Sequence, residues 1–158
     1  MEVGTEDTQG DILLSNLRIV PLTFRYIRDF CDNIRPEDIA ECLITSGTNP
    51  LDLTINEYIQ AGAMCLINDH EEVLAICGVH DEQMWLLGTK RIEENKMAFL
   101  RYSKELILGD LLKVNKRMYN IAWKPNHLHI KWLKWLGCKV LYENEDFLLF
   151  LFEQKESD

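Results

Sequence analysis

The chain has 158 residues, 47% hydrophobic and 27% charged, with a formal net charge of −9, a balance that suits one folded domain with an ordinary core. Its longest apolar runs, "AGAMCLI" at 61–67 and "FLLFLF" at 147–152, fall far short of the roughly 20 residues that cross a bilayer, and no apolar segment follows a basic N-terminus, so neither a membrane span nor a secretory signal is expected. Five cysteines without close pairing (Cys31, Cys42, Cys65, Cys77, Cys138) argue against a disulfide framework or a zinc site and point to a reducing interior such as the cytoplasm.

The polar, acidic start, "MEVGTEDTQGD", reads as a loose tail, with residues 1–15 outside a single domain at 16–154. "NLRIVPL" (16–22) reads as a strand. Three short helices follow. The first has Phe24, Ile27, Phe30 and Cys31 at helical spacing behind Thr23 as a cap; the second runs from Pro36 to Gly47; the third lies within 48–62 with Gly62 as its stop. The pattern then turns to strands. Residues 63–69 and 72–80 flank the turn "NDHE", and 82–89 follows the tight link at Asp81. The longest helix is expected over 93–114, with Gly109 as a mild defect of about 1 kcal/mol relative to Ala.

After the strand "RMYNIAW" (117–123) comes "PNHLHIKWLKWLGCKV" (125–140). Asn126 can cap a helix there, Leu128, Trp132, Trp135 and Leu136 share its apolar face, and Gly137 supplies the left-handed stop. "CKVLYE" and "FLLFLFEQ" close the chain as a hairpin. The order predicts an α/β (α+β) fold, a mixed central sheet flanked by helices. Charge is uneven along it. Leu111 to Leu141 holds seven basic residues and no acid, a pattern that serves an anion or, more simply, a solvated face. The overall acidity and the lack of interleaved exposed aromatics argue against nucleic-acid binding.

The strand, the "PN" start, the short helix and the "LG" stop resemble the end of the GCN5-related N-acetyltransferase (GNAT) superfamily, whose pattern is Asn-x-x-Ala-x-x-Leu-Tyr-x-x-x-Gly-Phe. Asn126 and Gly137 match its Asn and Gly at the same separation, and the element order agrees over about residues 16–153. "HIKWLKWLGC" further resembles short GNAT-like proteins of tailed phages, some of them internal virion proteins. The resemblance implies acetyl-CoA held where two parallel strands splay, here 82–89 and 117–123. The acyl carbonyl would lie near the amides of Leu86, Leu87 and Gly88, which would act as oxyanion donors. Thr89, Lys90 and Arg91 would meet the pyrophosphate and Asn126 would complete the cofactor side. "GTKRIEENKM" (88–97) replaces the family's glycine-rich loop, Leu133 stands at its catalytic Tyr, His129 at its Ala and Cys138 at its Phe. By position, Glu82 and His80 become candidate bases and Cys138, Tyr119 or Tyr142 candidate acids, and no metal is implied. The resemblance thus carries two functions. One is an acyl-CoA-dependent N-acetyltransferase acting on a small-molecule or protein amine. The other is a catalytically inactive virion, assembly or host-protein-binding protein, in the host cytoplasm or the virion.

Overall fold

The computed structural model describes residues 17–60 and 63–155; the expected tail (1–15) and the expected helix stop at Gly62 lie outside the described residues. The elements are β1 (Arg18–Pro21), α1 (Phe24–Asn33), α2 (Pro36–Ser46), α3 (Pro50–Ile59), β2 (Ala63–Ile67), β3 (Val73–His80), β4 (Gln83–Gly88), a 3₁₀ segment (Lys90–Asn95), α4 (Lys96–Lys104), a π-helical stretch (Glu105–Leu111), a last α-turn α5 (Leu112–Val114), β5 (Arg117–Trp123), α6 (His127–Trp135), β6 (Lys139–Glu143) and β7 (Phe147–Glu153). The strands form one sheet in the order β1-β2-β3-β4-β5-β7-β6. Every neighbouring pair is antiparallel except β4 and β5, which run parallel and are in register at one pair alone, Gln83 with Tyr119.

Each face of the sheet carries its own core. Tyr26, Ile27, Phe30 and Ile34 of the α1 region pack on Cys65, Ile67, Val73 and Ile76. On the other face, Phe99, Ile107 and Leu112 join Trp132, Leu133 and Leu136 against Leu74, Met118, Leu148 and Phe150. The central strand β3 is therefore buried on both sides from Val73 to Gly78, and its run of apolar residues follows from that. All five cysteines are free, and burial pushes the Cys65 and Cys77 thiols up to about 12.

Local chemistry sets most boundaries. Pro36 occupies the first turn of α2, and Gly47 ends it with a left-handed φ of 70°. The Asn49 side chain accepts from the Asp52 amide at 2.9 Å to cap α3. Asp81 and Glu82, at φ 50° and 68°, make the two-residue β3–β4 hairpin, whose twist needs positive φ at both positions. Gly137 stops α6 at φ 86°.

Four expectations are corrected. Thr23 starts α1 without a side-chain cap. Asn126 holds the cap position of α6, but its side chain is spent elsewhere. The single helix expected over 93–114 is a 3₁₀ entry, a short α-helix and a π-helical stretch. The π geometry has a visible cause: Ile107 and Leu112 both face the core and lie five residues apart, the π spacing, and the Leu112 amide reaches the Ile107 carbonyl. Finally, α6 is rolled relative to the expected stripe. Leu133 is fully buried and Trp135 is 49% exposed.

Candidate functional site

The parallel strands β4 and β5 separate soon after they meet. The Tyr119 amide donates to the Glu82 carbonyl at 2.9 Å and Asn120 Nδ2 to the Met84 carbonyl at 2.8 Å. Beyond that, the end of each strand is met by a carboxylate of α2. Backbone groups alternate sides along a strand. Residues 82, 84 and 88 all face β5, whereas the Thr89 amide turns to the Leu74 carbonyl of β3. The amides of Leu86 and Gly88 accordingly face the gap, and that of Leu87 faces β3.

Gly88, at the end of β4, donates its amide to Asp38 Oδ2 at 2.7 Å and accepts from the Arg35 amide at 3.0 Å. Trp123, at the end of β5, donates its amide to Glu41 Oε2 at 2.6 Å. Asp38 and Glu41 lie one helical turn apart on α2, so both carboxylates fall on its inner face. Asn126 joins them, with Nδ2 2.6 Å from Asp38 Oδ1 and 3.0 Å from Glu41 Oε1. Each carboxylate has a basic neighbour. Arg35 lies 3.1 Å from Asp38, and His129 Nδ1 lies 2.7 and 2.9 Å from the two Glu41 oxygens. Burial pushes the Asp38 carboxyl above its usual range, against the opposing pull of Arg35, Gly88, Asn126 and His129.

Two clefts flank this cluster. One, of about 440 Å³, opens between β4, the 3₁₀ segment, α4 and α6, with apolar walls from Ile92, Phe99, Leu100 and Trp132 and with Lys96 and Lys131 in its lining. The other, of about 350 Å³, lies on the opposite face of the sheet between α2, α3, β4 and β5, and holds Glu57, His80 and Trp85. Leu86 and His129 line both.

The residues singled out from sequence fall in different places. Glu82 is in the hairpin turn, with its carboxylate 3.3 Å from Arg117. His80 lines the α2-side cleft but is 65% exposed beside Asp81. Cys138 is half-buried, its thiol pushed up by burial, and packs on the core beneath α6. Thr89 is fully buried and gives its hydroxyl to the Val73 carbonyl at 2.8 Å. Arg91 clamps Asp29 with two contacts of 2.8 and 2.9 Å. Burial raises the Asp29 carboxyl, but Arg91 and the Val73 amide outweigh this and hold it below its usual range. Lys90 stays exposed. Leu133, at the family's Tyr position, is sealed in the core. Sequence reasoning missed Glu41 and gave His129 no role; the one available signal was a histidine standing where the family has Ala. Within the basic window, Arg117 pairs with Glu82 and Lys124 with Glu143, so two of its seven cations are already matched by carboxylates.

No glycine loop follows β4, and Ile92 takes its place. A Cβ built on Gly88 would lie 2.4 Å from Ile92 Cδ1 and 3.3 Å from Asp38 Oδ2. Gly88→Ala should thus cost about 1–3 kcal/mol by overpacking, measured by denaturant unfolding; a neutral result would show that Ile92 moves aside freely.

Residues 63–145, more than half of the chain, match the model of a family described as "Bacteriophage T7, probable scaffold protein Gp13". The chain belongs to that family. No curated protein matches it by sequence. Solved structures with the GNAT fold are similar to it throughout. The spermidine N-acetyltransferase of Vibrio cholerae, in complex with CoA and spermine, superposes with a TM-score of 0.64 at 11% identity, covering 89% of this chain and 96% of that one. A GCN5-related N-acetyltransferase from Kribbella flavida gives 0.63 at 9% identity, covering 88% and 98%. A GNAT-family acetyltransferase from Bacillus anthracis gives 0.61 at 10% identity, covering 88% and 95%. The chain therefore has the GNAT fold, and its opened β4–β5 pair is the splay that the sequence resemblance implied. Among the described residues, no helix is long and apolar enough to cross a membrane and no cluster of side chains could hold a metal ion.

Proposed function

We propose that the protein transfers an acyl group from acyl-CoA to an amine, as a single domain whose sheet separates donor from acceptor. The observation that carries this reading is the pair of clefts on opposite faces of the sheet, which meet at Leu86 and His129. A thioester entering along the α6-side cleft would place its carbonyl near the Leu86 amide, a fixed donor to the oxyanion of a tetrahedral intermediate. An amine entering from the α2 side would approach the same carbon from the other face. Holding both in one gap converts a bimolecular reaction into an intramolecular one. The apolar walls suit a pantetheine-like chain, and Lys96 and Lys131 in the lining, with the exposed Lys90 at the start of the 3₁₀ segment, are the cations that would meet its phosphates.

A second reading, assembly of a phage particle without catalysis, is favoured by the fate of the expected phosphate-binding groups. Gly88, Thr89 and Arg91 all make their hydrogen bonds inside the fold. The family's description as a scaffold protein supports it too. Calorimetric titration with acetyl-CoA separates the readings. The transferase should bind, with affinity that falls with salt because the phosphates meet exposed lysines, and Lys131→Glu should weaken it further. An absence of heat at any salt would sink the transferase reading and leave the assembly role.

A further inference from the structure

The Glu41–His129 pair is the chemistry-bearing group that the fold resemblance does not supply. His129 sits one turn into α6, its ring 6.1 Å from that of Trp132 and edge-on to Phe150 at 6.4 Å. Its side chain is 14% exposed and that of Glu41 is 6% exposed. Glu41 is fixed from two further directions, by the Trp123 amide and by Asn126 Nδ2, so the carboxylate cannot turn away from the imidazole. An ionised carboxylate only accepts, and Nδ1 therefore carries the ring proton that it receives. Nε2 is left with its lone pair. Among the described residues Trp85 Nε1 is the one buried side-chain polar atom without a partner. Nε2 of His129 makes no hydrogen bond to any described residue either, yet it is not among the buried unpaired atoms, so this ring nitrogen is accessible beside the two clefts that His129 lines.

We propose that His129 is the general base of this site, taking the proton of the incoming amine on Nε2, and that Glu41 is the residue that positions it. The inference rests on the transferase reading. An amine reaches the site as an ammonium. His129 removes one proton, and the freed lone pair forms the C–N bond to the thioester carbon. The carbonyl electrons move onto oxygen beside the Leu86 amide, then return as the C–S bond breaks. The thiolate leaves and takes up the second nitrogen proton, so amide and thiol are the products and the first proton passes from His129 to water. A carboxylate fixing the far nitrogen of a histidine whose near nitrogen faces the reacting group is the arrangement general-base catalysis requires. The other charged groups facing the ring or its clefts are Arg35 and Asp38 at the start of α2, Glu93, Lys96 and Lys131 on one side, and Glu57 and His80 on the other.

The test uses the whole chain with acetyl-CoA and, as probe amines, spermidine and an amidated lysine peptide. Thiol release should rise with pH to a plateau in the wild type. His129→Asn keeps an N–H donor for Glu41 but has no Nε2; it should melt close to the wild type, still bind acetyl-CoA, and lose about 10²–10⁴-fold in turnover. Glu41→Gln should displace the pH profile, an effect that mere loosening of the fold would not produce. Nitrogen-detected NMR of the ligand-free protein gives a readout independent of turnover. Neutral His129 should carry its proton on Nδ1, and Glu41→Gln should abolish that preference. Wild-type turnover that His129→Asn retains overturns the inference while the transferase reading stands, as does acetyl-CoA binding without thiol release from either amine, or a neutral ring protonated on Nε2. If acetyl-CoA does not bind at all, the transferase reading itself fails, and this inference with it.

Discussion

Asp38→Ala lowers the unfolding free energy by about 3–5 kcal/mol, the usual cost of removing one partner from a buried ion pair. The side chains of Arg35 and Asp38 are only 10% and 6% exposed, so the substitution leaves a cation in the interior. Glu37, 3.4 Å from Arg35 but half exposed, compensates weakly. The Gly88 amide and one proton of Asn126 lose their acceptor as well, and each unmet donor is costly. Asp38→Asn should rescue little, because both oxygens already accept and any amide orientation sets one donor against another. The pH dependence has a definite sign. Burial holds the Asp38 carboxyl above its unfolded value despite Arg35, so between the two values the folded state keeps a proton that the unfolded chain has released. Stability from this residue accordingly falls as pH rises through that window, and the gap between wild type and Asp38→Ala should widen on acidification. Urea unfolding at several pH values measures it. A gap that narrows in acid would mean that the Arg35 attraction, not burial, dominates at this carboxyl.

The two tryptophans of α6 should separate sharply. Trp132→Ala is expected to cost about 3–5 kcal/mol, since its ring is 6% exposed, lies 6.1 Å from Phe99 and donates Nε1–H to Ser103 Oγ at 3.0 Å. Trp135 has half its surface in water and its main specific contact is Lys104 Nζ, 5.4 Å from the ring. A cation–π contact at an exposed site is worth about 0.5–1 kcal/mol, so Trp135→Ala should cost no more than about 1 kcal/mol. Equal losses for the two would show that the helix sits in a different rotation from the one described.

That rotation marks where reading the chain from its sequence stopped. Caps, prolines and glycines act within one turn, and residues such as Pro36, Gly47 and Gly137 placed the ends of α2 and α6 correctly. The apolar stripe of α6 was harder, because Ile130, Leu133 and Trp135 lie on overlapping faces, and which one turns inward depends on the sheet beneath. The π-helical stretch was written in the five-residue step from Ile107 to Leu112, but that step also fits a helix with one apolar residue in solvent. The functional cluster was the least visible part. Asp38 and Glu41 stand in the first turns of a helix, where acids normally face water and complement the dipole. Their inward aim depends on Gly88 and Trp123, far off in the chain, offering amides that no strand completes. Asn126 misled for a related reason. It is a good cap by type and position, and only the buried carboxylates opposite show why its side chain is used otherwise.

The single registered pair between β4 and β5 has a consequence for how the molecule opens. It divides the sheet into two antiparallel blocks, each continuous in sequence, Arg18–Gly88 and Arg117–Glu153, and cooperative opening units commonly follow such supersecondary blocks. Amide protons of β2 and β3 should exchange with deuterium as one group and those of β5 and β7 as another. The Gly88 and Trp123 amides belong to neither group, because side chains rather than strands protect them. Exchange at Trp123, held by Glu41 of α2, would report the bond between the two blocks, and so the energy with which α2 holds the halves of this protein together, whereas exchange at Gly88, held by Asp38 of its own block, would report how firmly α2 is seated on β4.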